Sequence, residues 1–139
     1  MVGLVVATHG KLAEELIRTA EAITGTLERS RAVSIAASSS MDASRAELEE
    51  AIRAVDDGDG VLVLTDMFGG TPANLALTFL DEKVEVVTGV NLPMIVKLAT
   101  ARGGGLALRA AAELLTAYGQ KNITLASELL RSRTRTKSR

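Results

Sequence analysis

The chain has 139 residues, a formal charge of −1, no cysteine and one histidine, and 47% of its residues are hydrophobic against 24% charged. This is the size and balance of one globular domain with a real core, and the lack of cysteine excludes a disulfide framework and thiolate metal sites. No apolar run approaches the roughly 20 residues of a membrane span, the start lacks a signal-peptide pattern, and only Phe68, Phe79 and Tyr118 are aromatic, which leaves little for stacking nucleobases or sugar rings.

The expectation is therefore a cytoplasmic protein that does not bind nucleic acid. Charge is unevenly spread. "RSRTRTKSR" (131–139) holds five of the 16 basic residues and no acid, so residues 1–130 carry 11 basic and 17 acidic residues. Alternating basic and small polar residues cannot bury a face, so residues 127–139 are expected to form a disordered basic tail behind a single domain at 1–126.

Along the chain, strand-like runs alternate with helical patterns. "VGLVVAT" (2–8) has the length and apolarity of a buried strand, and Leu12, Leu16, Ile17, Ala20 and Ile23 then recur at helical spacing up to Gly25. "RAVSIAA" (31–37) is a weaker strand, followed by a helix to Val55 in which Ser44 and Glu47 have the spacing of a capping box. "DDGDG" makes a turn into "GVLVLTD" (60–66), the clearest buried strand. In "GGTPANLALTFL", Thr71 is placed as a cap before Pro72 at the first helical position. "KVEVVTG" (83–89) is a fourth strand, and Asn91 with Pro93 repeats the cap-plus-proline start. "GGG" (103–105) breaks that helix, "LALRAAAELLTAYG" (106–119) is another, and "NITLA" (122–126) is a candidate late fifth strand.

Such alternation predicts an α/β three-layer sandwich, a parallel sheet with helices on both faces, because each right-handed crossover needs a helix to return the chain. Ligands of such sheets sit beyond the carboxyl ends of the strands, where the winding reverses. If that point lies between the first and third strands, His9 and Asp66 face each other across it.

A neutral imidazole attacks through one nitrogen only if the other keeps its proton, and a carboxylate accepting from the second nitrogen fixes tautomer and ring angle. Asp66 is the candidate orienter. In "FGGTPAN" (68–74), Gly69 and Gly70 leave backbone N–H groups uncovered beside the Thr71 hydroxyl, a place for an anion such as phosphate. Nucleophile and phosphate cradle together point to phosphoryl transfer. Each part also has a plainer reading: a polar loop histidine, an aspartate capping the next helix, glycines serving a turn. The glycine pair is no P-loop, because no Lys-Ser or Lys-Thr follows at the required spacing.

The segments "GLVVATHGKLAEEL" (3–16), "LTDMFGGTPANLAL" (64–77) and "TGVNLPMIVKL" (88–98) resemble, in order and spacing, the enzyme IIA domain of the mannose-type sugar phosphotransferase system, and the likeness extends over residues 1–125. That resemblance implies a sheet of order 2-1-3-4 and a homodimer exchanging a late antiparallel strand, for which "NITLA" is the candidate. It implies a phosphoryl carrier: His9 accepts phosphate through Nε2 from a histidine phosphocarrier protein and passes it to a IIB domain, while Asp66 holds the Nδ1 proton. Gly69, Gly70 and Thr71 would face the phosphate, and Met67 and Phe68 would form an apolar docking rim. Phe68 and Ala73 are smaller than the residues many relatives carry there. With no IIB domain after residue 126, the acceptor is expected to be a separate chain.

No cofactor or metal is implied, and the membrane enters only through the transporter. Three other readings share features with this one. A receiver-type signalling domain would need acids after its first strand, where this chain has "ATHG"; "FGGTPAN" argues against the phosphotransfer subunit of dihydroxyacetone kinase; a regulatory binding module of the same fold would use His9 without a sugar-specific acceptor.

Overall fold

The structure is a computed structural model that describes residues 1–137, with side chains to 133. Its elements, in order, are β1 (Gly3–His9), α1 (Leu12–Thr24), β2 (Ser30–Ile35), α2 (Met41–Val55), β3 (Val61–Thr65), α3 (Thr71–Leu77), β4 (Val84–Thr88), α4 (Leu92–Ala101), a short 3-10 turn (Arg102–Gly104), α5 (Leu108–Lys121) and α6 (Ala126–Lys137). The four strands pair in parallel in the order β2-β1-β3-β4. The expected three-layer sandwich and strand order are therefore present.

Strand periodicity divides the interior into two cores, because successive side chains point to opposite faces of a sheet. Leu4, Val6, Leu62 and Leu64 pack with Ala13 and Ala20 of α1, Ile95 and Leu98 of α4, and Leu115 of α5. Val5, Ala7, Val61 and Val63 pack on the other face with Leu48, Ala51 and Val55 of α2 and Leu75 and Ala76 of α3. Both faces are covered, so β1 and β3 are apolar at nearly every position. At the amino-terminal edge of the sheet the buried Arg102 guanidinium donates to the carbonyls of Val2 and Glu28, tying the α4–α5 connection to β1.

Several local expectations need correction. The α2 cap is Ser40, whose hydroxyl accepts from the Ala43 N–H at 3.1 Å; Ser44 lies inside the helix and is buried, so no capping box forms with Glu47. Thr71 is the first residue of α3 rather than its cap; Gly70 takes the cap position without a side-chain bond. Asn91 does cap α4, accepting from Met94 at 3.2 Å.

"NITLA" forms no strand in this chain. Asn122 ends α5, and residues 123–125 lie apart from the sheet with Ile123 and Leu125 exposed. A β pattern this short forms only where an edge is offered to it, and no edge of its own chain reaches it. The basic segment is also not irregular over its described part. Residues 126–137 form α6, since Leu, Glu, Arg and Lys are good helix formers and neither Gly nor Pro interrupts them. Positions 138 and 139 lie outside the described residues. Among the described residues no helix is long and apolar enough to cross a membrane.

One buried polar group is unpaired. Thr65 ends β3 fully buried, and its hydroxyl finds no hydrogen-bond partner among the described residues. Valine has the same shape and β-branching without the desolvated hydroxyl. Thr65→Val is therefore expected to stabilise the protein by about 1 kcal/mol, raising Tm by roughly 3 °C in a thermal melt. An unchanged or lowered Tm would show that a bound water satisfies the group.

Candidate functional site

The parallel register sets the site. β1 runs alongside β3 with Ala7 opposite Thr65 and continues alongside β2 to His9, so His9 and Asp66, which follows Thr65, both stand at the sheet's carboxyl edge. This is the reversal point of the order β2-β1-β3-β4, where chains leave toward opposite faces: α1 on one, α3 on the other. His9 and Asp66 meet there as expected.

Their contact is close and doubled. Asp66 Oδ2 lies 2.8 Å from His9 Nδ1 and 3.0 Å from the His9 backbone nitrogen, which donates to it. The second carboxylate oxygen, Oδ1, accepts from the Met67 N–H at 3.0 Å. Burial alone would raise the Asp66 pKa, but the bonds from the His9 ring and backbone and from Met67 outweigh it, and the carboxyl is held below its usual value. An ionised carboxylate can only accept, so Nδ1 carries a hydrogen toward it, and in the neutral ring Nε2 keeps its lone pair. The carboxylate is sheltered at 14% side-chain exposure while the imidazole is 50% exposed. The orienter is fixed and the reactive edge is open.

Gly70 forms the shelf beside that edge. A Cβ built on Gly70 would stand 2.8 Å from His9 Cε1 and 3.4 Å from Nε2. Any side chain there would displace the ring. Gly69 has φ +86°, a conformation that favours glycine, and it turns the chain from Phe68 back toward α3. The first helical bond at this end is Asn74 N–H to the Gly70 carbonyl, so the Thr71 N–H stands in the opening turn of α3, ahead of the helical ladder. Met67 and Phe68 are exposed at 57% and 76% next to the pair.

The structure thus brings His9, Asp66 and Gly70 into contact, with Gly69 and Thr71 flanking them in the chain. Sequence reasoning assigned Gly70 a bare N–H; its contact with the ring has no local signal, because the glycine and the histidine are far apart in sequence. Leu12 and Met41 are further exposed apolar side chains, at the starts of α1 and α2 behind the carboxyl ends of β1 and β2. Among the described residues, no group of three or more His, Cys, Asp or Glu could hold a metal ion.

Two measurements test this geometry. The Asp66 carboxyl carbon followed by NMR is expected to titrate below an ordinary aspartate. Because the folded-state pKa is depressed, Asp66 contributes stability above the unfolded-state value of about 3.9 and loses it as pH falls through the folded value. The stability gap between the protein and Asp66→Asn should accordingly be full at neutral pH and close in acid; a gap that widened in acid would contradict the sign. Gly70→Ala should leave the fold intact and shift the His9 ring resonances.

Comparison with known proteins places the chain among its relatives. The family described as "PTS system fructose IIA component" matches residues 3–116. The mannose-specific EIIAB component of Escherichia coli K12 is 33% identical over 103 residues, covering 73% of this chain and 32% of that protein. The chain therefore spans about a third of the length of such two-component relatives. The fructose-specific EIIA component of Bacillus subtilis is 28% identical over 94% of this chain and 90% of its own length. Among solved structures, the mannose/sorbose-specific IIA subunit from Enterococcus faecalis superimposes with a TM-score of 0.81 at 29% identity, covering 89% of this chain and 93% of that one. A IIA protein associated with the fucose utilization operon of Streptococcus pneumoniae gives a TM-score of 0.82 at 27% identity, over 94% and 99% of the two chains. The match over residues 3–116, joined to the four-stranded parallel sheet of order β2-β1-β3-β4, shows that this chain belongs to the mannose-type IIA family of the sugar phosphotransferase system.

Proposed function

We propose that the protein is a phosphoryl carrier in which His9 is the transiently phosphorylated residue. The observation that carries this reading is the 2.8 Å contact between His9 Nδ1 and Asp66 Oδ2, with the opposite edge of the ring exposed against Gly70. Asp66 holds the Nδ1 proton, so the Nε2 lone pair attacks the phosphorus of a phosphohistidine on the donor. A nitrogen–phosphorus bond forms at Nε2 as the one on the donor breaks, and the donor imidazole leaves with the bonding pair. The Nδ1–H, more acidic once phosphate is attached, stays on the ring and donates to the ionised Asp66 carboxylate, which balances the positive charge that develops on the imidazole. Gly69, Gly70 and Thr71 would turn backbone N–H groups toward the phosphoryl oxygens, where such donors stabilise developing charge.

The donor in this reading is a histidine phosphocarrier protein and the acceptor a IIB component, met in turn in the cytoplasm. Met67 and Phe68 form the apolar part of the docking surface, a contact small enough to release between transfers. The Ile123–Leu125 stretch, exposed in the single chain, is the segment a second copy would cover in a homodimer.

Incubation with phosphoenolpyruvate, enzyme I and the phosphocarrier protein should add one acid-labile phosphate, read by intact mass at neutral or alkaline pH. His9→Ala should add none. Asp66→Asn should slow phosphorylation by roughly 10²- to 10⁴-fold, because an amide can donate to Nδ1 and leave the proton on Nε2. No phosphate on folded wild-type protein, across phosphocarriers, would overturn the carrier reading. Phe68→Ala should slow transfer from the donor and to the acceptor by about ten-fold without changing Tm; unchanged rates with both partners would remove Phe68 from the docking surface.

A further inference from the structure

Thr8 precedes His9 at the end of β1 and is fully buried, yet its hydroxyl is paired twice. It accepts from the Ala13 N–H at 2.7 Å and donates to the His9 carbonyl oxygen at 3.1 Å. The first bond replaces something missing. Lys11, at the cap position of α1, makes no side-chain cap bond, so the threonine reaches across the turn to satisfy an amide in the first turn of the helix. The second bond falls on the peptide plane that carries the reactive histidine.

Together with its neighbours Thr8 fixes the backbone of His9 on both sides. The His9 N–H goes to Asp66 Oδ2, the His9 carbonyl receives the Thr8 hydroxyl, and the next N–H, on Gly10, goes to the Ile35 carbonyl at 3.2 Å. This matters because one carboxylate oxygen takes both the backbone N–H and ring Nδ1 of the same residue. Both bonds can be short only for one relation between main chain and imidazole. With its N–H, its carbonyl and the following N–H all held, the His9 Cα has little freedom to carry the ring off Asp66 or toward Gly70, where there is no spare room.

We propose that Thr8 is a positioning residue for His9: its hydroxyl locks the main chain so that Asp66 can hold Nδ1 and leave Nε2 free. The consequence for phosphoryl transfer rests on the carrier reading above; the consequence for the ring does not. Thr8 never touches the phosphoryl group and acts only through His9. A misplacement of the nucleophile by a fraction of an ångström is enough to slow an in-line transfer.

The test uses Thr8→Val, which keeps the shape and removes the hydroxyl, Thr8→Ala, for the case in which valine does not fold, and Thr8→Ser, which keeps the hydroxyl. The first readout is the pair of His9 ring ¹⁵N shifts in the unphosphorylated protein at about pH 9, which report the tautomer through the protonation contrast between the two nitrogens. Wild type and Thr8→Ser should show a hydrogen on Nδ1 and a bare Nε2. The hydroxyl-free variants should show averaged shifts from mixed tautomers. The second readout is phosphorylation by the phosphocarrier: in the hydroxyl-free variants the rate at saturating donor should fall about ten-fold with KM unchanged, and serine should restore it.

A cap with no further role would lower Tm in the hydroxyl-free variants while leaving ring shifts and rate as in wild type, and that result overturns the proposal. Serine failing to restore the ring shifts would also overturn it, since the hydroxyl would then not be the cause. A wild-type protein that takes no phosphate would sink the carrier reading instead, and the ring shifts would still decide the role of Thr8.

Discussion

A single oxygen, Oδ2 of Asp66, receives both the backbone N–H and the ring Nδ1 of His9. A pairing slipped by one residue could not arrange this, because a shift of one position turns every side chain to the other face. The contact therefore depends on the parallel register of β1 against β3, and that register depends on the two cores. Val5 and Ala7 must enter one, Leu4 and Val6 the other, and no slipped pairing buries both sets. The precision of the site is a by-product of burying both faces of the sheet.

The pair is unequal in a way that suits a relay. The carboxylate is sheltered, held in its ionised form by three donors, and cannot wander; the imidazole is half exposed and presents its far edge outward. In the proposed carrier role the same atom would be offered to two different proteins in turn, which suits an imidazole at the surface with the group that orients it behind. Gly70 completes this economy. By contributing no side chain it leaves the edge open, and by standing within contact of the ring it limits where the imidazole can go.

The largest departures from expectation are at residues 122–126 and in the basic segment. The single chain leaves Ile123, Leu125, Leu129 and Leu130 exposed, and the segment carrying them belongs to neither core. The corrections at Ser44 and Thr71 have a different origin: four serines, Ser38, Ser39, Ser40 and Ser44, stand near the start of α2, and Gly70 precedes Thr71 at the start of α3, so which residue becomes the cap depends on where tertiary packing lets the chain leave its extended path.

Much was fixed by local pattern. Runs of β-branched residues alternating with helical periodicity are enough for the sandwich and its helices, since burial period and backbone conformation are properties of short segments. His9 and Asp66 were legible for the same reason: each ends an apolar strand, and strand ends at a winding reversal are where chemistry collects. The capping by Thr8 and the contact of Gly70 with the imidazole were not legible. They are set by which elements come to lie side by side, and a contact between residues 57 apart in the chain, as between His9 and Asp66, acquires its distance and angle only when the two cores have closed around both strands.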